Sequence, residues 1–410
     1  MKLWCLPLLC AVLCPAQNAG LAPDLILLAK IKTRMAATLR SQPNYTCVQE
    51  IERSQRRVPR HRFEMVDMLR LEVALIDGTE VFAWPGARKF EDTELRHMVT
   101  SGAIGNGDFA LHARAVFTSD GPVFTYRGDE ITGGRPAIRY DYRVTLLSSG
   151  YHIRVDQAEA VVAYHGSFWA DPETYDLRRL EIVAEDIPPS LRLQSSRTQM
   201  DYARMRIGSG EFLLPAASEM SMIDRAGNES RNRVRFTGCR QYTGDSVVSF
   251  DRTADETEVA RPPAEAAPED VPPDLVADIR LDTEIDSEKS MVGDPVSAVL
   301  VSPVRQNHHE LIPKGTTLLG RIKRLEHHRD ECAFEIEFDE ARGKTGHWNL
   351  LARVQEIHWP RFPDMLDRRF TQPSTQPVPR LGTMYVRGSK LHLPRGSRMT
   401  VRTEDMMAER

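Results

Sequence analysis

Apolar and polar residues alternate along most of the chain, and this alternation predicts β-strands. In the run Leu177 to Asp186, Leu180, Ile182 and Ala184 share one face. Arg179 and Glu181 lie on the opposite face. The turn sequence Asp171-Pro-Glu-Thr174 connects this run to the aromatic run Val161 to Trp169. The central part of the chain is therefore predicted to be a β-hairpin with one face in solvent.

Similar runs on both sides of this hairpin predict an antiparallel meander. The predicted strands are 45–53, 65–76, 80–84, 123–131, 137–146, 151–155, 199–207, 212–223 and 230–236. Asp77-Gly78 predicts a tight hairpin because both residues tolerate positive φ. Two short helical pieces, 93–99 and 108–115, interrupt the strands. The pattern predicts an α+β fold that is mostly antiparallel β.

One amphipathic helix is predicted before the strands, from Asp24 to Arg40. Leu28, Ile31 and Met35 fall on one stripe of this helix, which Leu39 continues. This stripe is the expected contact between the helix and the sheet.

An acidic, proline-rich segment at 251–274 predicts a linker between two domains, at 22–250 and 275–405. In the second domain Ile312-Pro-Lys-Gly-Thr-Thr-Leu318 is echoed by Leu393-Pro-Arg-Gly-Ser-Arg-Met399. Both place a Pro-basic-Gly turn ahead of an alternating strand, so both are expected to be equivalent turns of one small β-barrel.

The first sixteen residues are typical of a secretory signal peptide. Lys2 precedes the apolar run Leu3 to Leu13, and cleavage is expected after Ala16, with Ala19 as the other candidate. Lipidation of Cys14 is the alternative. No second apolar run reaches membrane-spanning length, so the mature protein is expected to be exported to the periplasm or cell envelope without a transmembrane segment.

Export also bears on the cysteines and on the partners. Cys47 and Cys239 stand at the two ends of the first domain, and in an oxidising compartment they can form a disulfide or remain two separate thiols.

A net charge of −4 over 410 residues argues against nucleic acid as a partner. Alternating arginines at 204, 206, 231, 233 and 235 indicate either a solvated face paired with acidic residues or a basic surface for anionic polymers or headgroups.

No motif predicts a catalytic, metal or cofactor site. The pairs His308-His309 and His327-His328 are interpreted as loop residues in solvent, because neighbouring residues on an extended chain point to opposite faces. Asp171 is expected to cap its own turn. The chain has neither a Gly-x-Ser-x-Gly elbow nor a His-Glu-x-x-His helix.

The helix, the meander and the hairpin with Asp171-Pro-Glu-Thr174 followed by Arg179-Leu180 resemble the LolA/LppX lipoprotein-carrier-like fold. The runs Pro43 to Ser54 and Cys239 to Ser246 resemble an uncharacterised family of secreted bacterial proteins. In the second domain Gly293 to Ala298 and Ile312 to Thr316 resemble the small barrel of TrbI-type conjugation proteins. The LolA/LppX resemblance implies a curved half-barrel sheet with a helical lid over an apolar cavity.

The function expected from this resemblance is non-enzymatic binding of a lipid or other apolar ligand in the cell envelope. Leu28, Ile31 and Met35 are the expected ligand-binding residues. Two alternatives stay open at this point. One is a structural or assembly factor that binds an envelope protein partner, and the other is a hydrolase with a site that no motif reveals.

Overall fold

The computed structural model describes residues 21–87, 90, 109–155, 158–242, 268–307, 309–344, 346–358, 382–388 and 390–406. The predicted signal peptide, the predicted helical piece 93–99 and most of the predicted linker lie outside these residues. The described chain forms a large antiparallel sheet with helices on one side, followed by a small β-barrel. The predicted α+β, mostly antiparallel fold is confirmed.

Within the described residues, the first unit contains two α-helices and twelve strands. The helices are α1 (Pro23–Ser41) and α2 (Leu111–Thr118). The strands are β1 (Tyr45–Arg56), β2 (Glu64–Ile76), β3 (Thr79–Ala83), β4 (Val123–Thr132), β5 (Arg135–Val144), β6 (His152–Val155), β7 (Ala158–Val161), β8 (Ala163–Ala170), β9 (Leu177–Glu185), β10 (Leu193–Ile207), β11 (Gly210–Asp224) and β12 (Glu229–Gln241).

Ten of these strands form the large curved sheet, in the order β3-β2-β1-β12-β11-β10-β9-β8-β5-β4. Strand β1 pairs with β12, so the beginning and the end of the unit are neighbours in the sheet. Strands β6 and β7 form a separate hairpin that packs on the methionines of β11. We call the side of the large sheet covered by α1 and α2 its inner face.

The central hairpin is formed by β8 and β9, but it lacks the solvent-exposed face expected for both strands. Nearly all of β8 is buried. On its outer face, Arg139 stacks over Trp169 at 5.4 Å and Arg139 Nη2 donates to Ser167 Oγ at 3.2 Å. Long side chains of the neighbouring strand therefore cover positions that the alternation pattern assigns to solvent.

Asp171 caps its own turn, as predicted. Its Oδ1 accepts hydrogen bonds from the backbone N–H groups of Glu173 and Thr174 at 2.8 and 2.9 Å. Burial raises the pKa of Asp171, but these two bonds and Arg178 outweigh burial and hold that pKa below its usual value.

The second unit is built around a closed six-stranded barrel. Its strands are β13 (Glu269–Asp270), β14 (Val276–Leu281), β15 (Ile285–Asp286), β16 (Pro295–Leu300), β17 (Val304–Gln306), β18 (His309–Ile312), β19 (Thr317–His327), β20 (Glu331–Arg342), β21 (His347–His358), β22 (Met384–Arg387), β23 (His392–Leu393) and β24 (Arg398–Thr403). The barrel closes in the order β19-β20-β21-β24-β14-β16. Strand β13, inside the predicted linker, pairs with β21.

The two echoed sequences occupy equivalent positions, as predicted. In the first turn Thr316 N donates to Pro313 O at 3.3 Å, and in the second Ser397 N donates to Pro394 O at 3.1 Å. The turns lead into β19 and β24, and Gly315 and Gly396 both have positive φ. Only a residue without Cβ adopts this conformation freely.

The barrel is joined to the large sheet through β2. Val292 N donates to Met68 O, and Arg70 N donates to Val292 O, both at 2.8 Å. Arg70 Nη1 also donates to Asp294 Oδ1 at 2.6 Å. Apolar residues of β1, β2 and β12 belong to one buried cluster with the barrel interior.

A disulfide joins the first strand of the first unit to its last strand. Cys47 and Cys239 form a disulfide between β1 and β12, which resolves the alternatives left open by the sequence.

Of the two α-helices described, neither is long and apolar enough to cross a bilayer.

Candidate apolar ligand site beneath the first helix

Helix α1 lies across the inner face of the large sheet on a narrow apolar stripe. Ile31, Met35 and Leu39 are four residues apart, which places them on one side of a helix with 3.6 residues per turn. All three are buried, Ile31 and Met35 almost completely. Leu28 lies one turn earlier and is half-buried against the same cluster.

The surface beneath α1 is apolar and rich in aromatic rings. It is formed by alternate residues of β5, β8, β9 and β10, together with α2 and the start of β11. Its buried members are Ala113, Val116, Phe117, Ile138, Tyr140, Tyr142, Val144, Tyr164, Phe168, Ala170, Leu177, Leu180, Ile182, Met200 and Leu213. Ligand pockets in proteins are lined mostly by side chains of these kinds.

Phe168 is the centre of the aromatic part. Its ring stacks on Tyr140 with centroids 5.3 Å apart, and the edges of Phe117 and Phe124 approach at 5.1 and 5.9 Å. Offset and edge-to-face contacts of this kind fix ring positions more firmly than aliphatic packing does. The sheet side of the site is therefore a cluster of rings in mutual contact, centred on Phe168.

Polar contacts fasten α1 at its beginning and near its middle. Tyr140 Oη donates to the carbonyl of Asp24 at 2.6 Å. Burial and the neighbouring Asp24 carboxylate raise the pKa of Tyr140 to about 12, so its hydroxyl remains a donor at neutral pH. Nearly three turns later, just past the middle of the helix, Arg34 Nε donates to Asp176 Oδ1 at 3.1 Å.

The other end of α1 has a different polar environment. Gln42 Nε2 donates to Leu213 O at 3.0 Å, and Arg114 of α2 donates from Nη2 to Leu39 O at 3.3 Å. Tyr45, the first residue of β1, is fully buried, and its ring lies 4.8 Å from that of Phe109. These groups stand where the cluster beneath α1 meets the cluster shared with the barrel.

The outward side of α1 is also apolar at its beginning. Leu21, Leu25 and Ile26 are 71, 50 and 44% exposed. A helix that only covered a sheet would carry polar residues there. The first turns of α1 thus have more apolar surface than their contact with the sheet uses.

A buried ion pair marks the opposite end of the inner face, beside the barrel. Arg53 of β1 donates from Nε to Asp67 Oδ1 of β2 at 2.7 Å, and both side chains are almost fully buried. Burial raises the pKa of Asp67, and Arg53 opposes this shift. This ion pair lies beside the apolar residues of β1 and β2 that pack with the barrel.

The structure brings the predicted residues Leu28, Ile31 and Met35 together on the inner face, but no ligand tests their role, which stays a prediction. The aromatic residues opposite them were not predicted as part of a site. A signal for them exists, because Tyr140 and Tyr142 are two apart in a predicted strand and must share a face.

Several of the other candidate residues have structural partners, and His308 lies outside the described residues. Arg233 donates from Nε to Glu219 at 2.9 Å, and Arg231 lies 3.7 Å from the centre of the Phe63 ring. His327 belongs to β19, not to a loop, because β19 extends through it to pair with Cys332, and its Nε2 lies 3.0 Å from Ser287 O. Within the described ranges, no group of three or more histidine, cysteine or acidic residues could hold a metal ion.

No protein-family model matches the chain. No curated protein is detectably similar to it in sequence.

The solved structures that are similar to the chain include the following three. A putative outer membrane lipoprotein-sorting protein domain from Vibrio parahaemolyticus is 13% identical, with a TM-score of 0.31, over 52% of this chain and 92% of that chain. A DUF1329 family protein from Desulfovibrio piger is 11% identical, with a TM-score of 0.29, over 53% of this chain and 93% of that chain. A chain of the Pseudomonas aeruginosa MucA/MucB complex is 12% identical, with a TM-score of 0.18, over 92% of both chains.

These scores are low, so the fold is described from the strand order and register of this chain. The predicted resemblances to TrbI-type proteins and to a secreted family are not represented among the three structures and stay predictions.

Proposed function

We propose that this chain is a non-enzymatic binding protein of the bacterial cell envelope that holds a lipid acyl chain between α1 and the inner face of the large sheet. The observation that carries the proposal is the pairing of a single amphipathic helix with an aromatic, apolar sheet surface. Leu28, Ile31 and Met35 contact the acyl chain from the helix side, and the rings around Phe168 contact it from the sheet side.

The side chains of α1 and of the sheet fill the space between them, so binding requires α1 to move away from the sheet. The apolar residues on the outward side of α1 support such a movement. Leu21, Leu25 and Ile26 are exposed when the helix lies on the sheet, and contact with lipid would remove them from water. This movement breaks the hydrogen bonds that hold α1 on the sheet, and contact of the freed apolar residues with lipid offsets part of that cost.

The expected location is the periplasm or the cell envelope. The signal-like beginning of the chain supports export, and the Cys47–Cys239 disulfide is typical of an oxidising compartment. Free lipids and lipoproteins are available there as ligands.

The test is native mass spectrometry with lipid extraction on the mature protein purified from a bacterial periplasm. We expect an acyl-chain species to co-purify and to be displaced by added fatty acid. The variant Leu28→Gln should lower the occupancy at least threefold, because it puts an amide at the edge of the apolar site.

The matched control is Leu147→Gln, since Leu147 is fully exposed outside this site. It should leave the occupancy unchanged. If the purified protein carries no lipid and takes up none from added phospholipid or fatty acid, the proposal is wrong.

A further inference from the structure

A group of buried polar atoms without partners lies at the C-terminal end of α1. In the part of the chain that the structure describes, Tyr45 Oη, Arg114 Nε and Gln42 Oε1 are all buried and have no hydrogen-bond partner. Such atoms are rare in folded proteins, because each one loses its hydrogen bonds to water and gains none in return. A group of them points to a bound molecule that supplies the missing partners.

The three side chains are held near each other by the local structure. Gln42 is the residue that ends α1, and Tyr45 follows three residues later at the start of β1. Arg114 is bound to the carbonyl of Leu39 in the last turn of the same helix. Burial raises the pKa of Tyr45, the Glu80 carboxylate raises it further, and the Arg114 guanidinium opposes this shift.

The neighbouring acidic group, the Glu80 carboxylate, already accepts hydrogen bonds from the backbone. Glu80 Oε1 accepts hydrogen bonds from the backbone N–H groups of Ala110 and Leu111 at 2.7 and 3.1 Å, at the start of α2. Its charge is therefore used at the N-terminus of a helix. The Nε–H of Arg114 remains as a cationic donor that points to no carboxylate.

We infer that this group binds the carboxyl end of a fatty acid whose chain lies beneath α1. A carboxyl group can satisfy these side chains in either ionisation state. As a carboxylate it accepts from Arg114 Nε–H and Tyr45 Oη–H, whereas the neutral acid can also donate its hydroxyl proton to Gln42 Oε1. The stripe from Ile31 to Leu39 leads directly to this end of the helix, so one molecule can occupy both places.

This inference rests on the proposed function and narrows its ligand to a single-chain carboxylic acid. The test compares palmitic acid with methyl palmitate, both delivered from cyclodextrin to the full mature chain. In the unaltered protein we expect the acid to bind at least tenfold more tightly, because the ester can neither carry the charge nor donate a proton.

The variants Arg114→Met and Tyr45→Phe should weaken the binding of palmitic acid about tenfold and about threefold, since a hydrogen bond to a charged group contributes more than a neutral one. Both should change the affinity for methyl palmitate less than twofold. The matched control is Arg40→Met, which removes an exposed cation near the same end of α1 and should change neither affinity.

Tyr45→Phe also separates a binding role from a structural one. It keeps the ring that packs on Phe109 and removes only the unpartnered hydroxyl, so without ligand its Tm should be equal to that of the unaltered protein or higher. A lower Tm, or an unchanged ratio of acid to ester affinity in both variants, would overturn the inference and leave the proposed function standing. Failure of both ligands to bind the unaltered protein would overturn both.

Discussion

At the scale of single residues, the side chain of Tyr142 extends across the adjacent strand β8 and bonds to the strand beyond it, β9. Tyr142 of β5 is paired with Gly166 of β8, and its Oη donates to Glu181 O of β9 at 2.7 Å. A Cβ at position 166 would lie 1.8 Å from Glu181 O and 2.8 Å from Tyr142 Oη. The glycine therefore leaves space for a bond that ties three strands of the inner face together.

Replacing this glycine should be costly. We expect Gly166→Ala to lower the free energy of unfolding by more than about 3 kcal/mol, because the added methyl group collides with backbone atoms that belong to the sheet. Urea unfolding followed by circular dichroism measures the change.

The matched control is Gly150→Ala. Gly150 is exposed, and a Cβ there would have no atom within 4 Å, so its free energy of unfolding should stay within about 0.5 kcal/mol of the original. Equal stability of the two variants would show that the sheet relaxes around position 166 and that the tyrosine bond is dispensable.

At the scale of elements, the disulfide joins two strands that are already neighbours. Strand β1 pairs with β12 on both sides of a bulge between Thr46 and Val48, and Cys47 lies in that bulge. The two cysteines are 192 residues apart in the chain. The bond therefore adds little to the folded contacts but restricts the unfolded chain over the whole first unit.

We expect reduction of this disulfide to destabilise the first unit by about 5 kcal/mol, as loop-closure entropy predicts for a loop of this length. Urea unfolding with and without a reductant gives the difference. The double variant Cys47→Ala, Cys239→Ala should show no response to reductant, since the remaining described cysteine, Cys332, is a buried free thiol. Equal midpoints for the oxidised and reduced protein would contradict the expectation.

At the scale of the whole molecule, one glycine of the barrel sets how closely the two units approach. Gly293 has a φ of +97°, and a Cβ there would lie 2.3 Å from Arg70 O and 2.7 Å from the Trp84 ring. It follows Val292, whose backbone pairs with β2. A side chain at this position would separate the barrel from the sheet.

We expect Gly293→Ala to loosen this contact while both units stay folded. Hydrogen–deuterium exchange at the amide of Arg70, which donates to Val292 O, should become at least tenfold faster. Gly315→Ala is the matched control, because Gly315 also has a positive φ, of +85°, but a Cβ there would have no atom within 4 Å. Exchange at Arg70 that is equally slow in both variants would show that the units do not depend on this close approach.

Local patterns in the sequence predicted much of this molecule, and long-range contacts account for what they missed. The helix from Asp24 to Arg40 and most strands follow from a period of 3.6 or 2, which depends only on nearby residues. The approach of Val292 to Met68 could not be predicted, because pairing between strands far apart in the chain leaves no periodic signal. The polar group at the end of α1 was missed for the same reason, since Tyr45 and Arg114 meet only through the packing of α2.

The contact between Val292 and β2 has a consequence for solubility. Strand β3 pairs only with Glu72 to Ile76, so the earlier part of β2 presents backbone N–H and C=O groups beyond the end of β3. An open strand edge is a template on which other chains can add and grow into aggregates. The barrel masks part of this edge, and because it belongs to the same chain, it does so at any protein concentration. Residues 21–242 produced without the barrel would therefore aggregate more readily. In the full chain, the barrel protects this edge against self-association.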